Sequence, residues 1–105
     1  VAFERMGQFD RAIDDYNKAL ELNPSDSLAY RNRGISLGKA GKTAKAIDDY
    51  TKALSLNPGF AEAYLDRASL YLKMGSRARA IRDYQKACEL GNKAGCDALR
   101  ACEKR

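Results

Sequence analysis

The chain has 105 residues, 45% hydrophobic and 31% charged, the size and composition of one small globular domain rather than of a disordered or multidomain chain. Nineteen Lys and Arg against fourteen Asp and Glu give +5 at pH 7, and His and Trp are absent; the commonest general base and metal ligand is thus missing, and three Cys alone make a poor metal site. No apolar run approaches the roughly 18 to 20 residues of a membrane span, and the opening Val1-Ala2-Phe3-Glu4-Arg5 does not read as a secretory signal.

Apolar residues at helical spacing predict helices over residues 9–22, 27–40, 43–56, 60–74, 77–90 and 95–104, and no stretch alternates as a strand does. Residues 1–6 read as the end of an earlier helix, with Phe3 in the register of Leu37 and Tyr71. Gly7, Gly41 and Gly75 stand at the expected turns within units, and Pro24 and Pro58 close the first two units. Ser25 or Asp26 is the expected N-cap of the 27–40 helix and Ser76 that of the 77–90 helix, each offering an oxygen to unpaired N–H groups. The last three residues are expected to fray.

The order of these elements is repetitive. Ala12-Ile13-Asp14-Asp15-Tyr16 recurs as Ala46-Ile47-Asp48-Asp49-Tyr50 and as Ala80-Ile81-Arg82-Asp83-Tyr84, an offset of 34 residues each time. Lys18, Lys52 and Lys86 hold the same register, as do Ala19, Ala53 and Ala87, then Leu22, Leu56 and Leu90. A helix pair cannot bury its apolar stripe alone, so neighbouring pairs share a core. Small residues at Gly34, Ala46, Ala53, Ala68, Ala80 and Ala87 allow close backbone approach, and the tyrosines fill the gaps between them.

A 34-residue unit of helix, turn and helix, with Gly after the first helix and Pro after the second, resembles the tetratricopeptide repeat (TPR). The matching positions are an aromatic early in helix A (Tyr30, Tyr64), a small residue four later (Gly34, Ala68), Ala in helix B (Ala12, Ala46, Ala80), an aromatic four later (Tyr16, Tyr50, Tyr84) and another Ala three beyond. The resemblance implies an all-α fold, a right-handed α-solenoid of antiparallel helix pairs in 34-residue repeats with a C-terminal capping helix. It implies one domain over residues 1–105: a partial repeat at 1–24, repeats at 25–58 and 59–92, and the capping helix at 93–105. An incomplete first unit would leave Ala12, Tyr16 and Leu20 near an exposed apolar patch, which favours self-association into a homo-oligomer.

Ala87-Cys88-Glu89-Leu90-Gly91-Asn92-Lys93-Ala94-Gly95-Cys96 is also similar to the disulfide-bridged, cysteine-rich α/α-repeat proteins, which implies a bond between Cys88 and Cys96. The compartment decides: both are bridged in a periplasmic or secreted protein, and both are reduced, small buried hydrophobes in the cytoplasm, the default location. Cys102, in the register of Gly34 and Ala68, is expected to pack as a small residue. Arg33 and Arg67 occupy a helix A position where the family pattern has Leu, each sixteen residues before an Asp. They suggest recurring buried ion pairs in which each Arg bonds an Asp in helix B of its own unit or of the preceding one, so that Arg33 takes Asp49 or Asp15 and Arg67 takes Asp83 or Asp49.

No Ser or Cys has a His to activate it and no glycine-rich phosphate loop is present, so an enzyme is not expected. Asp14-Asp15 and Asp48-Asp49 are adjacent on their helices, so their side chains are expected to diverge rather than converge on a metal. No cofactor, metal or membrane is implied. The family resemblance implies a noncatalytic protein-interaction scaffold that binds a peptide or partner segment in a concave groove lined by the A helices. Its groove positions fall on Leu28, Arg31, Asn32, Ile35 and Lys39, then on Glu62, Leu65, Asp66, Ser69 and Lys73. Some members grip a chaperone's C-terminal carboxylate with Lys and Asn, then Asn, then Lys and Arg from three successive A helices. Asn32 has the register of the middle Asn, but Glu62 and Asp66 stand where Lys and Arg belong and would repel that ligand.

The alternative function rests on charge distribution. Residues 1–72 carry ten basic and ten acidic side chains, whereas residues 73–105 carry nine and four. Arg77, Arg79, Arg82, Lys86 and Lys93 suit nucleic acid or another acidic surface. No aromatics interleave with them on the expected exposed face, so nucleic acid ranks second.

Overall fold

The computed structural model describes the backbone of residues 2–103 and the side chains of residues 7–102. The expectations for Phe3, for the end of the last helix at Lys104 and for fraying of the final three residues lie outside the described residues. Among those described, the regular structure is entirely helical: α1 (Ala2–Leu22), α2 (Ser27–Lys39), α3 (Thr43–Leu56), α4 (Ala61–Lys73), α5 (Arg77–Glu89) and α6 (Lys93–Glu103). The helices fall into two compact units, Val1–Pro58 and Gly59–Arg105. In the first, α2 packs against both α1 and α3; in the second, α5 packs against both α4 and α6.

The turns explain these boundaries. After α2, Gly41 adopts φ 84°, and two reversed hydrogen bonds follow: Lys42 N–H donates to the Leu37 carbonyl at 2.8 Å and Gly41 N–H to Gly38 at 3.1 Å. This pairing satisfies the last carbonyls of the helix and requires a left-handed residue, the conformation that glycine adopts without a Cβ clash. Gly75 repeats the turn after α4 and Gly91 after α5, with Asn92 N–H donating to the Ala87 carbonyl at 3.0 Å.

Gly7 does not repeat it. The expected turn there is absent, and α1 runs unbroken through Gly7. A helical Gly7 keeps every backbone bond of the helix, whereas a reversal becomes favourable only when a preceding helix packs back against the next. The described residues before Gly7 form less than two turns of helix.

Capping differs between helices. Asp26 Oδ1 accepts from Ala29 N–H at 3.2 Å and caps α2. Ser76 holds the N-cap position of α5 but makes no side-chain capping bond. The last helix starts at Lys93 rather than Gly95, because Asn92 Oδ1 accepts from Gly95 N–H at 3.0 Å and caps the helix two residues earlier.

Each unit has its own core. In the first, Ala46, Tyr50, Ala53 and Leu54 of α3 are buried with Ala29 and Leu37 of α2. A Cβ on Gly34 would lie 2.8 Å from the Tyr50 ring, so the absence of a side chain there is what admits the tyrosine. In the second unit, Ala68, Ala80, Tyr84 and Cys102 form a cluster against which Leu65, Tyr71, Ile81, Ala98 and Leu99 pack. On α1, Leu20 is buried while Ala12 and Tyr16 are half-buried. Leu20 is therefore not part of an exposed patch.

Candidate functional site

Leu28, Arg31, Asn32, Ile35 and Lys39 are spaced so that they share one side of α2, and Glu62, Leu65, Asp66, Ser69 and Lys73 share the same side of α4. Leu28 and Lys39 are exposed on α2, with Arg31, Asn32 and Ile35 half-buried. On α4, Glu62, Ser69 and Lys73 are exposed. Leu65 packs against the second unit's core, and Ser69 Oγ donates to the Leu65 carbonyl at 3.1 Å while lying 3.5 Å from the Tyr84 hydroxyl. Those two side chains therefore serve packing as well as surface. Glu62 sits in the first turn of α4, and Lys39 and Lys73 in the last turns of their helices; all three suit the helix dipole.

Beneath each face lies an arginine fork. Arg33 Nε donates to Asp49 Oδ2 at 2.8 Å and Nη2 to Oδ1 at 2.7 Å, with Nη1 reaching Asn17 Oδ1 at 2.9 Å. The partner of Arg33 is thus Asp49, not Asp15. Arg67 binds Asp83 in the same bidentate way at 2.8 Å and 2.8 Å. The arginine side chains are 23% and 18% exposed and their aspartates 8% and 7%, so these pairs are largely withdrawn from water. Arg33 stacks over the Tyr30 ring, and Arg67 over Tyr64 and Tyr71. Hydrogen bonding to Asp49 and Asp83 raises the two guanidinium pKa values above their ordinary range, against burial that lowers them. Because the rise comes from pairing with ionised aspartates, the stabilisation it represents is lost, on the alkaline side, only in strong alkali.

In the second unit Cys88 and Cys96 form a disulfide that joins the last turn of α5 to the first turn of α6, while Cys102 is free and buried. Gly95 sits against this joint, where a Cβ would come within 2.9 Å of the Cys88 backbone nitrogen. Closing so short a loop is worth about 2 to 3 kcal/mol by loss of unfolded-chain entropy. Reductant is expected to lower the stability of the native chain by that amount and to leave a Cys88→Ser, Cys96→Ser double variant unchanged, as read by urea melts with and without reductant.

Arg77, Arg79, Arg82, Lys86 and Lys93 are all exposed, but two of them have structural contacts. Arg77 donates to the Cys102 carbonyl near the end of α6, and Arg79 stacks over Tyr71 at 5.9 Å.

One feature escaped sequence reasoning. In the first unit an open cleft of about 600 Å³ runs between α1 and α3, with Arg33 and Leu37 at its floor, Asp10 and Asp14 on the α1 side, and Lys42, Lys45 and Asp48 on the α3 side. Asp14 lines this cleft together with Asp48, its equivalent one repeat on. The signal was present in the 34-residue period, which places Asp14 and Asp48 on the same face of successive B helices. Among the described residues, no three Asp, Glu or Cys side chains gather closely enough to hold a metal ion, and no helix is long and apolar enough to cross a membrane.

Three models of one family match in succession: a TPR repeat at residues 2–41, a tetratricopeptide repeat at 27–60 and another at 49–89. The chain belongs to the tetratricopeptide repeat family. Among solved structures, it is similar to the first TPR domain of Spaghetti (RPAP3) bound to the HSP90 peptide SRMEEVD, at 27% identity and TM-score 0.85, over 97% of this chain and 82% of that one. The second TPR domain of human RPAP3, in complex with the HSP70 peptide SGPTIEEVD, matches at 26% identity and TM-score 0.83, over 98% and 88%. MamA matches at 33% identity and TM-score 0.78, over 83% of this chain and 51% of that one. No curated protein matches the chain significantly. In TPR terms, α2 and α4 are A helices and α3 and α5 are B helices, and both arginine forks join helix A to helix B of the same repeat.

Proposed function

We propose that this TPR chain is a noncatalytic interaction scaffold that binds a peptide or partner segment on the helix A faces of α2 and α4, the side that lines the concave groove in the family. The observation that carries this reading is the likeness, over nearly the whole chain, to TPR domains whose structures hold bound peptides. The partner differs in chemistry from an acidic chaperone tail. Glu62 and Asp66 disfavour such a tail by like-charge repulsion, and a segment with a basic element near Glu62 and Asp66 and an acidic one near Arg31 and Lys39 suits these faces better.

Affinity capture from source-cell lysate tests the reading, comparing the native chain with an Arg31→Glu, Glu62→Lys, Asp66→Lys variant whose apolar core is unaltered. The expected result is a protein retained by the native chain and lost by the variant, with the HSP90 peptide SRMEEVD failing to bind the native chain in solution. Equal retention by both chains, or tight binding of SRMEEVD, overturns it.

A further inference from the structure

We propose that the cleft between α1 and α3 is a second binding site, on the B helices, for a partner segment that presents a basic and an acidic side chain side by side. Its chemistry is built from residues that the helix A reading does not use. Asp10 and Asp14 stand on the α1 side, and Lys42, Lys45 and Asp48 on the α3 side. All five are exposed, and among the described residues no ion pair joins any two of them.

The floor adds shape rather than free charge, because Arg33 is already held by Asp49 and Asn17. Once that pair is set aside, the walls offer three carboxylates and two ammonium groups. On the α1 wall, beside Ile13 and Asn17, both charged side chains are acidic and suit a guanidinium or ammonium group. The opposite wall carries both lysines where α3 begins, and Lys42, at its N-cap position, makes no side-chain capping bond. The dipole of α3 therefore adds to the two lysines in favouring a carboxylate there.

A ligand with one sign only would meet repulsion from one wall, whereas a dipolar segment satisfies both. The volume is within the range of pockets that enclose a small ligand, but the cleft is open and its charges are wet, a setting that suits side chains reaching in from a protein surface.

The test is an NMR titration of the full chain with blocked peptides. Acetyl-Gly-Arg-Glu-Gly-amide is expected to shift the backbone amides around Asp10, Asp14, Lys45 and Asp48 saturably, and to bind roughly tenfold more weakly after Asp14→Asn with Asp48→Asn, or after Lys45→Glu. These exposed substitutions leave the core intact, and unchanged thermal melts verify it. The Arg31→Glu, Glu62→Lys variant is expected to bind the peptide as the native chain does, which separates this site from the helix A faces. Three results overturn the proposal. The first is shifts confined to α2 and α4, or no shifts. The second is equal binding of acetyl-Gly-Arg-Gly-Gly-amide, which removes the dipolar requirement. The third is tighter binding of free arginine than of the blocked peptide, which makes the ligand a small zwitterion instead of a protein segment.

Discussion

Replacing Arg67 by alanine is expected to lower stability by about 3 to 4 kcal/mol, because it strands Asp83 in a largely buried setting without its bidentate partner. The loss comes from the carboxylate left behind more than from the arginine contacts removed, and this makes a distinct prediction. A double variant, Arg67→Met with Asp83→Leu, is expected to recover most of the stability, since two apolar side chains remove the uncompensated charge. Arg67→Lys should fall between, keeping the charge but losing the fork. Urea melts of the four chains, with hydrogen exchange at Tyr84 as a local probe, check the series. An Arg67→Ala chain that melts within about 0.5 kcal/mol of the native one would class the pair with exposed surface bridges.

Tyr50→Ala is expected to cost about 3 to 5 kcal/mol, the usual range for truncating a buried aromatic. Tyr50 is 3% exposed, and its ring fills the space that Gly34 leaves open. Gly34→Leu alone should also destabilise, since its side chain meets that ring. Combined with Tyr50→Ala, however, it should refill part of the cavity, so the double variant is expected to be more stable than the sum of the two single losses allows. Strict additivity in a thermodynamic cycle would show that these positions do not share one space.

Both predictions rest on pairs sixteen residues apart within one repeat, and the sequence left the arginine partners open. Arg67 could meet Asp83 of its own repeat or Asp49 of the preceding one. Arg33 had two candidates, because Asp15 and Asp49 occupy equivalent positions in successive B helices, and only the packing of α2 against α3 presents Asp49 to both guanidinium donors. The same limit hid the cleft: reading Asp14 beside Asp15 compares neighbours along one helix, while the structure brings together Asp14 and Asp48, 34 residues apart. Side-chain convergence across a repeat depends on how helices are spaced, and sequence carries no direct signal of that spacing.

Local rules misled at two glycines for one reason. Gly7 has the register of Gly41 and Gly75 but lies within a helix, and Gly95 reads as a helix start but lies inside α6 against the α5 backbone. Glycine permits a reversal without requiring one, so its conformation follows from what packs on either side. Asn92 was the better signal at the second site, an amide acceptor three residues ahead of the N–H it caps.

The sequence by itself determined the repeat length, the helical class, the family, the left-handed turns at Gly41 and Gly75, and the alternation of small and aromatic residues that fills each core. These follow from short-range chemistry repeated at a constant interval: helical periodicity, glycine turns and complementary side-chain volumes. Only the tertiary structure decided that α1 continues through Gly7, that Arg33 selects Asp49, that Leu65 and Ser69 lean toward the core, and that charged residues from α1 and α3 border one cleft. Each of these depends on distances between helices, which arise from the packing of side chains remote in the chain rather than from the preferences of any one segment.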